Sequence, residues 1–450
     1  MAQQTEKAKA KLHSLTAALE SGALAKVRRM LNSMAPVDIA HLIEASPPKA
    51  RKILWELVDK DSEGEVLQHL SDELQSHFLS DMSAEEVADV TADLDTDDVA
   101  DILQQLPGRV TQQVLRSMDQ QDRSRIETIL EYPEDSAGGL MNTDTVTIRP
   151  DISLEATLRY LRRHKTLPAM TDNLLVVNRQ NEFIGVLPIN KLLVSDPNQT
   201  VREVMNTDSK IIHADQHETE VAKVFERHDL VSAPVLDSEG VLLGRITIDD
   251  VVDVIRETAD HSLMSMAGLD EEEDTFAPAM KTSRRRAVWL GINLITAFIA
   301  SAVIGLFDKT IEQVVALAVL MPIVASMGGI AGSQVLTLVI RGQALGHLSG
   351  ANFRWLFNRE LVVAGINGIL WAVVIALITL AWFQDPIIAS IIGAAIIINL
   401  LVAAISGAAL PLILKAQGID PALAGSVILT TVTDVVGFLS FLGLATIFYL

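Results

Sequence analysis

The chain has 450 residues, of which 49% are apolar and 21% are charged. From Lys281 to the C-terminus we count nine Lys/Arg and six Asp/Glu, so the totals of 36 and 57 leave 27 basic and 51 acidic residues in 1–280, a net charge of −24. A region this acidic repels nucleic-acid phosphates and attracts cations, and the lack of cysteine excludes a disulfide scaffold, a thiolate zinc site and a cysteine nucleophile.

Residues 1–131 are predicted to form an all-α superhelical domain. In VDIAHLIEASP (37–47) and DVADILQQLP (98–107), apolar residues recur at i, i+3 and i+4, which is the period of an amphipathic helix. Short helices separated by proline or polar turns favour a small stack. Eight acidic residues lie from Glu85 to Asp101 with no Lys or Arg between them, which is more charge than a solvated helix face requires.

Residues 132–257 contain an internal repeat. LMNTDTVTI (140–148) returns as VMNTDSKII (204–212), and EFIGVLPINKLL (182–193) returns as VLLGRITIDDVV (241–252). Each copy reads as a strand, a helix, two strands around a glycine and a final helix. The repeat resembles a tandem pair of CBS domains, at about 138–197 and 201–257, which implies one α/β module that senses a ligand.

A nucleotide site is a candidate function of this module. Thr247 and Asp250 match the Thr/Ser-x-x-Asp pattern that in CBS domains holds a ribose and a phosphate, so ATP is a candidate ligand. The first copy has the residues from Pro188 to Lys191 at this place. The alternative is a capped helix, because short polar and acidic residues are favoured in the first turn.

Residues 258–286 are predicted to form a connecting helix and linker, and 287–450 an α-helical membrane domain. Uncharged stretches occupy 287–307, 313–340, 361–384, 386–414 and, apart from one Asp, 421–450. A helix needs ~20 apolar residues to cross the hydrocarbon core of a bilayer. Five transmembrane helices in contact with lipid are therefore predicted.

Basic residues near the ends of these stretches predict the orientation. If the helices alternate, one side of the membrane carries Arg284, Arg285, Arg286, Arg341, Arg354, Arg359 and Lys415. Basic residues favour the cytoplasmic side, so the helical and CBS domains are predicted to be cytoplasmic and the C-terminus outside.

Two features of the spans indicate an ion path. Gly328, Gly329 and Gly332 in MGGIAGSQ are predicted to break the second helix, so that freed backbone groups line a pore. The alternative is close helix packing through small residues. Asp434 lies near the middle of the last stretch, where a carboxylate is expected to face an interior or an aqueous path. Threonine hydroxyls beside it and the absence of soft ligands suit a hard cation.

The landmarks of the chain are DDVAD (97–101), YPEDSAGGLMNTD (132–144), the CBS repeat, MGGIAGSQ (327–334), DPALAG (420–425) and TDVVGF (433–438). With these motifs in this order, over essentially all 450 residues, the chain resembles the MgtE family of magnesium transporters. The resemblance implies a homodimeric Mg²⁺ channel with its pore between two copies of the membrane half. It also implies closure when cytosolic Mg²⁺ binds the acidic domains.

The resemblance assigns roles to individual residues. Asp434 would line the ion site with the backbone of Gly328 and Gly329. The regulatory Mg²⁺ would be bound by Glu65, Asp97, Asp101, Asp229, Asp250 and Asp253, with Glu257 and Asp260 nearby on the connecting helix.

The chain also departs from the family pattern. Ile330 stands where the family pore often has Asn, and Ser426 replaces a second Asn that usually follows DPAL. Both positions belong to the expected cytoplasmic gate, so gating or selectivity is expected to differ. The connecting helix has Thr258, His261 and Ser262 where the family usually has acidic residues, so closure by Mg²⁺ is expected to be weaker, or pH-sensitive through His261.

Other function classes are less favoured. The chain has no GxxxxGK phosphate loop, no GxSxG elbow and no kinase motif set, so neither an enzyme nor an ATP-driven pump is predicted. A proton- or sodium-coupled carrier of divalent cations is the alternative, although such a carrier usually needs a relay of ionisable residues. A membrane-anchored CBS sensor without transport would have no need of Asp434.

Overall fold

The computed structural model describes residues 23–163, 166–269, 274–344, 346–348 and 350–449. These residues form two compact units. The N-terminal unit contains the chain up to Ala259 together with Asp274–Ala277, and the membrane unit contains residues 260–269 and the chain from Pro278 onward. The first 22 residues of the predicted helical domain lie outside the described part of the chain.

The first described segment is helical, as predicted. Its helices are α1 (Leu24–Leu31), α2 (Pro36–Glu44), α3 (Pro48–Leu57), α4 (Glu63–Gln68), α5 (Asp72–Leu79), α6 (Ala84–Val90), α7 (Thr96–Gln104), α8 (Gly108–Ser117) and α9 (Gln120–Ile129), with a 3₁₀ turn at Lys60–Ser62. Proline opens α2 and α3, where its missing N–H costs nothing. Ser83 and Glu86 form a capping box at the start of α6.

The next segment is the predicted α/β repeat. The first copy has β1 (Thr147–Ile148), α10 (Leu154–Leu161), β2 (Asn173–Val177), β3 (Phe183–Pro188) and α11 (Ile189–Val194), and α12 (Val201–Val204) follows it. The second copy has β4 (Ile212–His213), α13 (Glu218–His228), β5 (Ser232–Leu236), β6 (Leu242–Thr247) and α14 (Ile248–Met266). In each sheet the first strand is parallel and the third antiparallel to the middle strand. The predicted α/β repeat is therefore confirmed.

The two copies exchange their repeated motifs. Asn142 of the first motif pairs with Arg245 in β6, and Asn206 of the second motif pairs with Val186 in β3. Glycine in each receiving strand makes room, because a Cβ on Gly244 would lie 2.7 Å from the Asn142 carbonyl oxygen, and Gly185 stands in the same relation to Asn206. The glycine of each copy is thus needed for close backbone approach.

One core joins the helical segment to the second copy. Leu103 of α7, Ile129 of α9, Phe225 of α13 and Ile246 of β6 are all buried in it. This shared apolar core explains why both segments belong to one compact unit.

A short segment beyond α14 also packs in the N-terminal unit. Arg51 of α3 is buried and donates to both carboxylate oxygens of Asp274, and also to the carbonyls of Ile43 and Glu44. Phe276 lies against the guanidinium, 5.7 Å from its carbon atom to the ring centroid. A bidentate arginine with four hydrogen bonds fixes the geometry of this segment.

Five helices are long and apolar enough to cross a membrane, as predicted. They are α15 (Ala279–Gly305), α17 (Ala316–Ala344), α18 (Gly350–Phe383), α19 (Pro386–Ala416) and α20 (Pro421–Tyr449), with a short helix α16 (Asp308–Gln313) after the first. The most apolar window of α19 is 61% buried within the chain, against 6% for α15 and 11% for the third span. The centre of the membrane unit is therefore α19, packed against α17 and α20.

Candidate ion path and cation-binding site

A threonine docks the acidic start of α7 against the CBS pair. Thr96 Oγ1 accepts a hydrogen bond from the Thr143 backbone N–H at 3.0 Å and one from the Thr143 hydroxyl at 3.1 Å. It donates to Asn142 Oδ1 at 3.3 Å. These contacts inside the N-terminal unit place the acids around Thr96 beside the first repeated motif.

Three carboxylates at the start of α7 form a candidate cation site. Oxygens of Asp95, Asp97 and Asp98 lie within 4.8 Å of one another. Asp97 is only 7% exposed, and its Oδ1 has no hydrogen-bond partner among the described residues. A buried polar atom without a partner is costly, and a set of oxygen donors suits a hard divalent cation. The residues therefore fit a hard divalent cation such as Mg²⁺.

Burial and neighbouring carboxylates raise the pKa of these groups. Burial, followed by the charge of Asp250, raises the pKa of Asp97 well above its usual range. Burial, followed by Asp250 and Asp95, raises the pKa of Asp98 to about 7. Burial, followed by Asp249, raises the pKa of Asp250 to about 6. The start of α7 and the start of α14 thus present like charges to each other.

Further acids extend this cluster along both helices. Burial, followed by Glu134, raises the pKa of Asp101 well above its usual range. Partial burial of its carboxyl group, followed by Glu218, raises the pKa of Glu257 to about 7. The charge of Asp253 contributes to the raised pKa of both Asp98 and Glu257. Asp250, Asp253 and Glu257 share one face of α14, because they are three and four residues apart.

Two predicted ligands lie apart from this cluster. Glu65 is exposed on α4, and Asp229 is exposed at the end of α13 with a left-handed backbone (φ 50°). Neither is among the principal electrostatic neighbours of Asp97 or Asp101. Asp260 lies on α14 immediately after the boundary between the two units. The structure thus brings Asp97, Asp101, Asp250, Asp253 and Glu257 together.

The candidate nucleotide residues contact each other. The backbone N–H and the hydroxyl of Thr247 both donate to Asp250 Oδ2, at 3.1 and 3.0 Å. An acid at the third helical position that reaches back to the preceding N–H is half of a capping box. Asp250 therefore caps α14, faces α7 and also belongs to the candidate nucleotide pattern.

The last span presents a carboxylate in mid-helix. Asp434 is half-buried and is the fourteenth residue of the 29-residue helix α20. The hydroxyls of Thr430, Thr431 and Thr433 donate to carbonyls of their own helix at 2.9, 2.7 and 3.0 Å. These hydroxyl protons are used in hydrogen bonds within the helix, so the hydroxyl oxygens can act only as acceptors toward other groups.

The predicted break in the second span is wrong, because α17 runs through the glycine motif without interruption. A Cβ on Gly328 would overlap the side chain of Asn399, and a Cβ on Gly332 would lie 2.9 Å from Leu429. Gly329 has open space around its Cβ position. Small residues here allow neighbouring helices to approach, while the backbone keeps its internal hydrogen bonds.

The two expected gate positions lie on the helices that flank α19. Ile330 is 58% exposed on α17. Ser426 is half-buried near the start of α20, where its carbonyl accepts the Thr430 hydroxyl. Their roles at a gate stay predictions.

Asn399 and Glu360 are polar residues buried in the spans, and the sequence analysis did not single them out. Asn399 of α19 has no exposed surface, and its Nδ2 donates to the Val324 carbonyl at 2.8 Å. Glu360 of α18 is 6% exposed and lies 3.2 Å from Arg359 Nη1. The uncharged stretch 361–384 begins directly after it, so Glu360 was not counted in the predicted span. The sequence could have indicated Asn399, since it is the one asparagine in a 31-residue apolar helix.

The end of α14 contacts the start of α20 inside the membrane unit. Asp420 accepts hydrogen bonds from the N–H groups of Ala422 and Leu423 at 2.9 and 3.2 Å, so it caps α20. His261 Nε2 lies 3.3 Å from Asp420 Oδ2. Met266 packs against the apolar cluster at the same end of α17 and α20. The last residues of α14 therefore contact the start of α20 within the membrane unit.

Comparison with known proteins agrees with this arrangement. Residues 321–444 match the family model of the MgtE divalent cation transporter, 34–135 that of the MgtE intracellular N domain, and 137–195 and 201–257 that of the CBS domain. The magnesium transporter MgtE of Thermus thermophilus is 30% identical over 440 residues, which cover 96% of this chain and 97% of the relative. The magnesium transporter MgtE of Bacillus subtilis is 28% identical over 432 residues, with 96% and 95% covered.

A solved structure is similar to the N-terminal part of the chain. It is described as the cytosolic domain of the Mg²⁺ channel MgtE in complex with ATP, and it is 32% identical, with a TM-score of 0.49, covering 54% of this chain and 99% of its own. The family models together with the full-length relatives identify the family. The chain belongs to the MgtE family of magnesium transporters.

Proposed function

We propose that this magnesium transporter is a Mg²⁺-gated channel that imports Mg²⁺ across the bacterial inner membrane through a pore between two copies of the membrane unit. The observation that carries the proposal is the half-buried Asp434 in the middle of α20. A carboxylate at this depth is costly unless it faces an interior or an aqueous path. The basic residues at the span ends favour a cytoplasmic N-terminal unit and an outside C-terminus.

The chemistry around Asp434 suits a hydrated Mg²⁺ as the transported ion. In a dimer, two copies of this carboxylate would place a charge of −2 near one axis. Threonine oxygens beside it can accept from water because their protons already bond to the helix. Mg²⁺ gives up its water reluctantly, so these oxygens would contact the hydration shell of the ion.

Substitution of Asp434 tests this assignment. We expect Asp434→Ala to abolish Mg²⁺ flux into proteoliposomes or to admit Na⁺, because the carboxylate no longer balances the divalent charge. Ser440→Ala is the matched control, since Ser440 is on the same helix and its hydroxyl donates to the Gly437 carbonyl of that helix. Wild-type flux and selectivity in Asp434→Ala would contradict the proposal.

The carboxylate cluster of the N-terminal unit is proposed as the Mg²⁺ sensor. Asp95, Asp97 and Asp98 would hold the cation, and Asp250 and Asp253 face the same group. When the acids are ionised, charges ~4 Å apart in a partly buried region repel by ~4 kcal/mol. A bound divalent cation reverses the sign of this interaction and draws α7 and α14 together.

The connecting helix would transmit this change to the pore. The first residues of α14 belong to the cluster in the N-terminal unit, and within the membrane unit His261 of this helix lies 3.3 Å from Asp420. Moving a two-state gate from 1:99 to 99:1 takes about 5.5 kcal/mol of differential binding, and two clusters per dimer would share this requirement. Because Asp260 is the one acid on α14 close to that contact, we propose a weaker closure than several acids would provide.

ATP is proposed as a second ligand of the CBS pair. Thr247 and Asp250 are in contact in the second copy, and the same Asp250 faces the cation cluster. A nucleotide that binds Asp250 would therefore be linked to the regulatory cation. Binding of ATP to the full-length protein with and without Thr247→Ala would test this assignment.

A further inference from the structure

Asn399 is a fully buried amide at the centre of the membrane unit. Its Nδ2 donates to the Val324 carbonyl of α17 at 2.8 Å, and its Oδ1 has no hydrogen-bond partner in the part of the chain that the structure describes. An amide in an apolar layer is costly when it is not fully hydrogen-bonded. A residue selected only to fill this space would be apolar.

Two glycines on the neighbouring helices make the space for this amide. A Cβ on Gly328 of α17 would overlap Asn399 Nδ2, and a Cβ on Gly437 of α20 would lie 2.8 Å from the same atom. The position of a Cβ on Gly437 is also 3.2 Å from Val324 Cγ1. Three helices therefore converge on one side chain.

The two glycines belong to the motifs that carry the proposed ion path. Gly328 is the first glycine of MGGIAGSQ, and Gly437 follows Asp434 by three residues, less than one turn of α20. Both glycines are buried, whereas Gly329 beside the first has open space. The amide thus determines how closely the Asp434 segment of α20 can approach α17.

We propose that Asn399 is a positioning residue of the ion path, and that its amide holds α17 and α20 at the separation that selects Mg²⁺. This inference rests on the proposed role of Asp434. Selectivity in a pore depends on how coordinating oxygens are spaced around the ion. The hydrogen bond to Val324 fixes the amide against α17, and the contact with Gly437 sets the position of the carboxylate-bearing turn.

The first test separates polarity from side-chain shape. Asn399→Leu keeps the number and branching of the side-chain heavy atoms and removes the hydrogen bond. We expect a thermal unfolding temperature near that of the wild type, but a loss of about tenfold in the Mg²⁺ to Na⁺ flux ratio in proteoliposomes, the factor that corresponds to one interhelical hydrogen bond. Wild-type flux ratio in a folded Asn399→Leu protein overturns the proposal.

The second test uses the contact with glycine and remains decisive if Asn399→Leu fails to fold. Gly437→Ala should lower yield and Mg²⁺ flux, because its Cβ meets the amide. Asn399→Ala combined with Gly437→Ala should restore the yield but not the flux ratio. Gly443→Ala is the control on the same helix, since its Cβ would meet nothing within 4 Å. A normal flux ratio in the double variant shows that the amide is dispensable.

Asp434→Ala is measured in the same series. If Asp434→Ala keeps the wild-type flux ratio, the proposed ion path is wrong and the inference falls with it. If Asp434→Ala changes the flux ratio while Asn399→Leu does not, only the inference about Asn399 is overturned.

Discussion

Asp98 shows how strongly the fold changes the chemistry of a single carboxyl group. Burial, followed by Asp250 and Asp95, raises its pKa from 3.8 to about 7. The folded protein therefore binds this proton more tightly than the unfolded chain does. Between about pH 4 and 7 the folded state holds more protons, so the free energy of unfolding falls as the pH rises through this window.

A single substitution can test this pH dependence. Without divalent cations, we expect the full-length protein in detergent to unfold at a lower temperature at pH 8 than at pH 5. Asp98→Asn should raise the pH 8 value by roughly 2–4 °C for each kcal/mol of repulsion removed, and should change the pH 5 value little. Differential scanning fluorimetry would measure both.

Asp93→Asn is the control for Asp98→Asn, because Asp93 is an exposed acid in the turn before α7. The assignment requires that only Asp98→Asn reduces the difference between the two pH values. An equal effect of both variants would mean that net charge, rather than the buried cluster, controls the stability.

The sequence reveals a functional residue when its side chain is chemically unlike its sequence neighbours. Asp434 was found because it is the one charge in a 30-residue apolar stretch. Asn399 carries no charge, so the sequence alone did not mark it. Its role becomes visible only when the packing of three helices shows which groups contact its amide. The partners of Asp97 were equally invisible, because Asp250 is more than 150 residues away along the chain.

At the scale of elements, the spans were predictable and the glycine motif was misinterpreted. Long apolar stretches specify membrane helices by length alone. Three glycines within five residues indicate backbone freedom, but they equally allow close packing, and Gly332 is packed against Leu429. Sequence cannot decide between the two effects, because the neighbour that fills the space comes from another helix.

Gly329 separates a pore role from a packing role. Its Cβ would meet nothing within 4 Å in the protomer, so Gly329→Leu should fold and assemble as the wild type does. If this face of α17 lines the pore, Mg²⁺ flux should nevertheless fall, because the larger side chain enters the path. Size-exclusion chromatography and proteoliposome flux would measure the two properties separately.

Gly365→Leu is the control for Gly329→Leu. Gly365 lies on α18, and its Cβ would also meet nothing within 4 Å. Normal flux in both variants would place Gly329 outside the path, and the motif would then serve packing alone.

At the scale of the whole molecule, the acidic residues of α7 and those of α14 should act as one Mg²⁺ sensor. Asp97→Ala with Asp250→Ala removes one carboxylate from α7 and one from α14. We expect the Mg²⁺ concentration that protects the N-terminal unit from limited proteolysis, and that closes the pore, to rise about tenfold, since a loss of 1.4 kcal/mol in binding has this effect.

The control removes two exposed acids of the same unit, Asp93 and Glu239, by Asp93→Ala with Glu239→Ala. This pair changes the net charge equally and leaves the cluster intact. If both double variants behave alike, the cluster is a solvated acidic surface and the sensor lies elsewhere.

The order of the domains was predictable from composition, repeats and apolar length. The core that the acidic helices share with the second α/β copy could not be predicted. It joins residues as distant in sequence as Leu103 and Phe225. Contacts of this separation depend on the tertiary fold, whereas the pattern of one helix depends on its neighbours in sequence.

The exchanged motifs make each α/β copy depend on the other for a complete sheet. Asn142 completes the sheet of the second copy, and Asn206 completes that of the first, so neither copy is structurally closed by itself. A single ancestral copy with the same surfaces would have left a strand edge and a glycine cleft open, and a second identical chain would have filled both by the same reciprocal contact. In this chain the two copies complete each other by the same reciprocal contact, so the CBS pair has the two-fold arrangement of a dimer within a single polypeptide.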